Sequence, residues 1–400
     1  MTRGAEGGAY GRVNPSPDVE LTLVGAGTAA GELLRRYWQP VGLASKVAEQ
    51  PKAVRVLGED LVLFRDGRGR FGLLDPHCCH RGTSLYYGRV ESDGVRCCYH
   101  GWLFDVEGRC LEQPCEPPES TYKDKVRQPW YPCREYHGLV FAYLGPPDRV
   151  PVFPRWDLLE EGEGVVVPDG TSYGLGGGVV LDCNWLQTWE NVMDPFHVFV
   201  LHNQISGRQF AQAISERPRV SWEYAERGMR SIQERPLEGG VIYRRITEVL
   251  LPNVRIVPSV AAGTPGEGFQ RATIVGWHLP IDDTHTRMYS LLRVPLRDGT
   301  SAMPPRARHG GKAWSELTEE EHQRMPGDAE AMVSQGPIAI HSLEHLATSD
   351  RGVIMLRWLL RRQIDAVGLG EDPIGIIRDP ARDLVSTTAG NLLVTPGAAP

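Results

Sequence analysis

Two short stretches carry donor atoms that suit a metal. Cys78-Cys79-His80-Arg81-Gly82 offers C-x-H, and sixteen residues further on Cys97-Cys98-Tyr99-His100-Gly101-Trp102 offers C-x-x-H. Two soft sulfurs and two imidazoles on two loops form a mixed S/N ligand set. Such a set serves a [2Fe–2S] cluster with both thiolates on one iron and both histidines on the other, or a tetrahedral zinc ion. Further along, the run from Glu190 through Asn191, Asp194, Pro195 and His197 to His202 places two histidines and a carboxylate in an apolar setting. Unpaired buried polar groups are costly. A 2-His-1-carboxylate triad holding Fe(II), with positions left open for O2, is one explanation; histidines that simply pack a helix are the other.

These spacings set demands on the elements that carry them. Five residues on a regular helix rotate a side chain by ~140°, so His197 and His202 converge on one ion only if the helix breaks or takes a π-type turn. Asp194-Pro195 fits a break, since Asp caps a helix N-terminus well and Pro is tolerated at the first helical position. The first two loops sit among short strands and turns: residues 53–57 and 61–64 read as a hairpin about Gly58-Glu59-Asp60, and 102–105 and 138–144 as further strands. Upstream, Gly25-Ala26-Gly27-Thr28-Ala29-Ala30-Gly31 is a poor dinucleotide fingerprint, with its third glycine one place late and no second βαβ unit. It reads as a helix starting at Thr28 and stopping at Pro40. Residues 1–17 are Gly-, Pro- and Ser-rich and read as frayed. Beyond Pro154, residues 184–201 have helical character and 220–236, 240–250 and 270–296 strand character. Residues 298–327 read as a mobile loop with a short acidic helix, and helices resume at 328–334 and 349–367. Strands running together and then packing on helices indicate an α+β fold.

Composition narrows the classes. A chain of 400 residues, 41% hydrophobic and 23% charged, reads as a soluble globular protein of two domains. The net charge of −7 supplies no basic stripe for nucleic acid. No apolar run approaches a membrane span, and the N-terminus lacks a secretion signal, so a cytoplasmic location is expected. There, eight cysteines are ligands or free thiols rather than disulfides. Cys79 and Cys98 lie between ligand positions and read as small packed thiols, with a protective disulfide near the metal site as the alternative; Cys110, Cys115, Cys133 and Cys183 read as structural.

Taken together, C-x-H-R-G at 78–82, C-x-Y-H-G-W at 97–102 and N-x-x-D-x-x-H-x(4)-H at 191–202 resemble the oxygenase component of the Rieske non-haem iron oxygenases. The resemblance runs in the family's order from about residue 33 to 363. Gly336-Pro337-Ile338, Ser349-Asp350, residues 31–38 and 57–63, and Glu112-Gln113-Pro114 point to the phthalate-oxygenase and O-demethylase branch.

The resemblance implies a tail and helix (1–40) packing on the catalytic domain, an all-β Rieske domain (41–150) and a helix-grip catalytic domain of antiparallel sheet with helices (151–400). It implies that Cys78, His80, Cys97 and His100 bind the cluster and that His197 and His202 bind Fe(II). Asp328 is the expected third ligand, although Gly327 stands where the family often has Gln or Asn; Asp350 and Glu330 are the competing acids. Asp194 is expected to bridge His197 to a neighbouring subunit's His100 in a homotrimer, and Asn191 to lie near the iron. Arg81, Tyr99 and Trp102 belong to the loop framework. A separate reductase would supply electrons, and the substrate would be an aromatic acid or methoxylated aromatic, with one of Arg244, Arg245, Arg255, Arg271 or Arg287 available for a carboxylate. A Rieske electron carrier with a non-catalytic binding domain, and a zinc-binding module, are the readings in other classes.

Overall fold

Short, turn-punctuated segments fold, in the computed structural model, into three small antiparallel sheets between Trp38 and Tyr143. The structure describes residues 15–169, 180–207, 210, 212–259, 268–297, 300–301, 312 and 314–395. The expected hairpin is the pair Lys52–Val56 and Glu59–Arg65, joined by Leu57-Gly58. Both joining residues have positive φ, 50° and 79°, the conformation a two-residue type I′ turn requires. Phe71–Leu74 and Trp130–Tyr131 complete this four-stranded sheet. A second sheet of four short strands, Arg89–Val90, Val95–Arg96, Leu103–Phe104 and Cys110–Glu112, carries the second ligand loop between its middle strands. The third sheet orders Trp38–Leu43, Leu139–Tyr143 and Cys133–Tyr136.

That last strand pair corrects the expected helix stop. The helix is Ala29–Arg35, capped by Thr28 Oγ1 accepting from Gly31 N, and Pro40 lies inside the strand Trp38–Leu43. Pro40 is tolerated because this strand is at the sheet edge and its register shifts between Pro40 and Gly42. Residues 15–17 are not frayed either: Ser16 N donates to Ser342 Oγ at 2.8 Å and Asp18 N to His341 Nδ1 at 3.1 Å. Residues 1–14, also read as frayed, lie outside the described residues.

Downstream, one antiparallel sheet dominates. Its path runs Val165–Asp169, His285–Val294, Ile274–Asp282, Val254–Ile256, Ile242–Leu250, Gly228–Pro236 and Arg219–Ala225, and Val180–Leu181, Gln270–Arg271 and Gly390–Val394 pair off this path. The expected strand regions are thus hairpins, subdivided at turns such as Glu226-Arg227. Against the sheet pack the helical run beginning at Trp185 and the helix Arg351–Gly368. Trp189 fixes the first of these by donating Nε1 to Val254 O at 3.1 Å. Of the expected loop, 298–299, 302–311 and 313 lie outside the described residues, while the acidic helix is present as Glu319–Arg324.

One hydrophobic core spans both regions. Leu57, Leu63, Leu73, Phe141 and Phe153 belong to the same buried cluster as Trp156, Trp189, Trp277 and Leu356. The Leu57-Gly58 turn adds backbone bonds to Pro280 O and Ile281 O at 3.0 and 2.9 Å, so the first β region is docked on the strand Ile274–Asp282. Among the described residues, no helix is long and apolar enough to cross a membrane.

Candidate metal centres

The two ligand loops are built alike. In each, the residue four after the first cysteine is a glycine at positive φ (Gly82, 75°; Gly101, 72°) whose N–H returns to that cysteine's carbonyl, at 2.8 Å for Cys78 and 3.1 Å for Cys97. This turn needs a left-handed residue, which glycine supplies without a Cβ clash. Cys78 and Cys97 are 2% and 3% exposed, within an apolar cluster of Val62, Phe64, Leu74, Leu85 and Trp102. Burial pushes the Cys78 thiol up to about 12, so a thiolate here needs a cation beside it. His80 and His100 lie edge to face, ring centres 4.6 Å apart, and Trp102 stacks on His80 at 4.4 Å. His100 Nδ1 is buried and has no hydrogen-bond partner among the described residues. An orphaned imidazole nitrogen on the same pair of loops as two buried cysteines fits the mixed S/N ligand set of a Rieske cluster.

Two side chains clamp these loops, and sequence reading missed both. Gln128, fully buried, accepts from Cys79 N at 2.7 Å and donates to Asp75 O and His77 O, both at 2.9 Å. Arg96 donates to Gly101 O at 2.6 Å while Glu91 and Glu112 hold its guanidinium. Gln128 stands tens of residues from the loop it holds, and no local spacing marks it. Cys79 and Cys98 are exposed, against the expectation of packed thiols. The tight turns point Cys78 and Cys97 inward, which turns the residue after each outward. Cys115 is exposed as well, its Sγ 3.8 Å from His100 O, whereas Cys110 and Cys183 are buried.

The second centre depends on broken helix. Trp185–Glu190 is α-helical, Asn191–Met193 is a 3₁₀ turn, Asp194 is extended (φ −102°, ψ 99°), Phe196–Phe199 is α-helical and Val200–Ile205 is a π-helix. The expected break at Asp194 and a π-turn are both present. Asp194 Oδ1 accepts from Phe196 N at 2.9 Å, and its Oδ2 lies 3.3 Å from His197 Nδ1. The π-turn winds His202 onto the side His197 faces. Their Nε2 atoms lie 2.9 Å (His202) and 3.3 Å (His197) from one oxygen, Asp328 Oδ1. Asn191 Nδ2 donates to that same oxygen at 3.4 Å.

His197, His202 and Asp328 present ligand atoms all within 4.8 Å of one another, the group of metal-binding type found among the described residues. His202 and Asp328 are buried and His197 is 19% exposed. Burial opposes charge on Asp328, but the two histidines outweigh it and hold the carboxyl well below its usual range. Burial likewise opposes charge on His197, and Asp194 and Asp328 outweigh it, raising that ring above the ordinary histidine value. An ionised carboxylate with two imidazoles on one oxygen is the donor set of a facial-triad iron.

The competing acids are engaged elsewhere. Asp350 directly precedes the helix Arg351–Gly368, and its carboxylate is engaged by the 3₁₀ turn Thr348–Asp350, accepting from Ala347 N at 2.7 Å. Glu330 accepts from Gly327 N at 2.7 Å. Two further contacts that the sequence did not indicate position the triad. Gln187 donates to Met332 O and Gly336 O and accepts from Ala339 N, tying the broken helix to the helix Asp328–Val333. Ser206 Oγ donates to Pro326 O at 2.6 Å. Of the candidate arginines, Arg244 pairs with Glu234, and Arg271 with Asp157 and Glu161. Arg245 and Arg255 are buried in the sheet, Arg245 donating to Pro258 O and Ser259 O.

Fold and geometry together define a protein with two candidate metal centres, and comparison with known proteins gives it a family. Residues 37–132 match the Rieske [2Fe–2S] domain family. The chain is 48% identical over 395 residues to a phenoxybenzoate dioxygenase alpha subunit of Ectopseudomonas oleovorans, covering 97% of this chain and 95% of that one. It is 39% identical over 402 residues to the oxygenase subunit of a tert-butanol monooxygenase/tert-amyl alcohol desaturase of Aquincola tertiaricarbonis, covering 94% and 81%. Its fold resembles that of dicamba monooxygenase solved with dicamba bound, at 16% identity and a TM-score of 0.61, covering 85% of this chain and all of that one. The chain belongs to the Rieske non-haem iron oxygenases, as an oxygenase component of the branch that holds phthalate oxygenases and aryl O-demethylases. This membership decides against the zinc module and the pure electron carrier.

Proposed function

We propose that His197, His202 and Asp328 hold one Fe(II), that Cys78 and Cys97 ligate one iron of the cluster and His80 and His100 the other, and that the substrate is a small aromatic acid or methoxylated aromatic. The observation that carries this reading is the convergence of both Nε2 atoms on one Asp328 oxygen, in a chain that also bears the two cluster loops. When bound, the iron supplies open positions at which O2 is reductively activated with electrons from the cluster. The protein's part is positional. Asp194 orients His197 through Nδ1 so that Nε2 faces Asp328. Asn191 steadies the Asp328 oxygen, and burial keeps His202 from solvent.

Asp194 is 30% exposed, so its carboxylate stands where another copy can reach it. We read the assembly as a homotrimer in which Asp194 links His197 to His100 of the partner subunit, with a separate reductase as electron source. Domain limits near 40 and 150 fit this division of labour. The aromatic assignment draws on the name of the 48% relative; the tertiary-alcohol relative marks the alternative substrate class. Aerobic turnover with a generic reductase, isotopically labelled O2 and a panel of phenoxybenzoate, methoxybenzoates and tert-butanol tests it. Labelled hydroxylated product from an aromatic acid, or the free phenol with formaldehyde from an aryl ether, is expected. Product from tert-butanol alone overturns the substrate class, and neither labelled hydroxylated product nor formaldehyde from any of them counts against the oxygenase reading.

A further inference from the structure

Glu330 competes with Asp328 for the ligand role on sequence grounds, yet the fold puts it to a different use. Asp328 opens the six-residue helix Asp328–Val333, and the residue before it, Gly327, is the N-cap. A glycine cap has no side chain to bond the first turn, so the usual reciprocal capping box is half absent. Glu330 supplies the remaining half: its Oε2 accepts from Gly327 N at 2.7 Å. The other carboxylate oxygen, Oε1, accepts from Trp314 Nε1 at 2.7 Å and lies 2.6 Å from His322 Nδ1. Trp314 and His322 are themselves in ring contact at 5.2 Å.

Residues 314–324 are held together locally as well. Thr318 caps the helix Glu319–Arg324 in a full capping box with Glu321, which also pairs with Lys312. Trp314 packs against a small cluster of Leu181, Cys183, Met288, Ala329 and Met332. Two residues of that cluster, Ala329 and Met332, lie on the Asp328 helix. A single carboxylate therefore touches, on one side, the amide that fixes the Asp328 backbone and, on the other, the segment that docks over it.

From this juxtaposition we infer that Glu330 is a positioning residue that couples docking of residues 314–324 to the metal-binding geometry of Asp328. The inference rests on the proposed assignment of Asp328 as a metal ligand. Partners of this kind commonly change metal affinity by about 10–100-fold. Coupling is also reciprocal: whatever docking does for the metal, the metal does for docking.

The test uses the full-length chain with its cluster in place, the second centre stripped by a chelator, and Co(II) alone as the probe. Cluster absorbance together with an unchanged thermal unfolding transition reports that each variant has folded. Equilibrium dialysis with metal analysis measures Co(II) per chain, and hydrogen exchange follows residues 314–324 with and without Co(II). The wild-type chain is expected to bind one Co(II), lost in His202→Ala, and binding slows exchange in 314–324. Glu330→Gln and His322→Leu are expected to weaken Co(II) about tenfold and to abolish that slowing. His322→Asn, whose amide nitrogen stands near the ring Nδ1 position, restores both. Equal affinity in Glu330→Gln, His322→Leu and wild type, or exchange indifferent to Co(II) in wild type, overturns the coupling while leaving the ligand assignment standing. A wild-type chain that binds no Co(II) overturns the ligand assignment, and this inference with it.

Discussion

Asp194 divides two tasks between its two oxygens. Oδ1 restarts the helix by accepting from Phe196 N, and Oδ2 faces His197 Nδ1. Burial opposes its ionisation, but the His197 ring and nearby amides hold it below the usual carboxylate range, so it carries charge. Asp194→Asn keeps the cap and removes the charge. Both metal contents are expected to stay at wild-type levels while kcat with reductase and substrate falls about a hundredfold. Wild-type turnover in a fully metallated variant contradicts the bridging role, as does sedimentation of the active enzyme as a monomer. The proposed ligands on the two loops and at the helix break were legible in the sequence because each sits in a turn set by its immediate neighbours: Gly82 and Gly101 for the cluster loops, Asp194-Pro195 for the break; Asp328 was reached only through the family resemblance. Their supports were not. Gln128 holds the loop at 78–82 from far along the chain, and Gln187 holds residues 332–339 from the other helix. No local pattern predicts which distant amide will fold back. The outward turn of Cys79 and Cys98 was missed for a similar reason, since spacing alone does not say which of two adjacent thiols points inward.

At the scale of elements, the broken helix is held in place by close packing. Trp222 donates Nε1 to Met193 O at 3.0 Å, and the helix Arg351–Gly368 meets that bond at a glycine. A Cβ on Gly352 would stand 2.4 Å from Met193 O and also strike the Trp222 indole. Gly352→Ala is expected to destabilise the protein by about 1–3 kcal/mol, as overpacking does, and to lower iron in the second centre while the cluster is retained. Unchanged melting temperature and iron content contradict this. Farther along the same helix, Arg357 bridges Glu190 and Glu344, a mostly buried network that braces the residue preceding Asn191.

The sheet face beneath the broken helix holds a histidine with a different character. His278 is fully buried with Nδ1 2.9 Å from Thr188 Oγ1; burial, then Arg255, depress its pKa well below the ordinary value of 6.5. The folded chain keeps this ring neutral while the unfolded chain protonates it. Its contribution to stability is therefore complete above about pH 6.5 and is lost as pH falls below that, by at most about 1.4 kcal/mol per pH unit. Urea unfolding from pH 8 to 5 is expected to show this slope, reduced in His278→Gln. An identical pH slope in the variant contradicts the assignment. Helix ends were less legible than helix existence. Pro40 reads locally as a stop, but its strand is an edge strand with a bulge, which only the sheet order reveals.

The whole molecule joins an electron-holding region to an oxygen-using one through a shared core and a docked hairpin tip. That two-part organisation was legible because three motifs occur in one chain in a fixed order. The ten-stranded sheet was less so: Gly390–Val394 is a short strand whose partners Ile242–Leu250 and Gln270–Arg271 lie far away in the chain, and the pairing supplies what its own sequence lacks. Electrons placed on the cluster proposed at Cys78, His80, Cys97 and His100 are expected to be consumed at the iron proposed at His197, His202 and Asp328. A single-turnover experiment addresses this without a reductase. The chain is reduced chemically under anaerobic conditions, freed of reductant, and mixed with O2 and phenoxybenzoate, while cluster absorbance and product are followed together. The wild-type chain is predicted to reoxidise its cluster in step with product formation, and His202→Ala to keep its cluster reduced far longer and form no product. Equal cluster reoxidation in both proteins, with no product from either, would contradict the account.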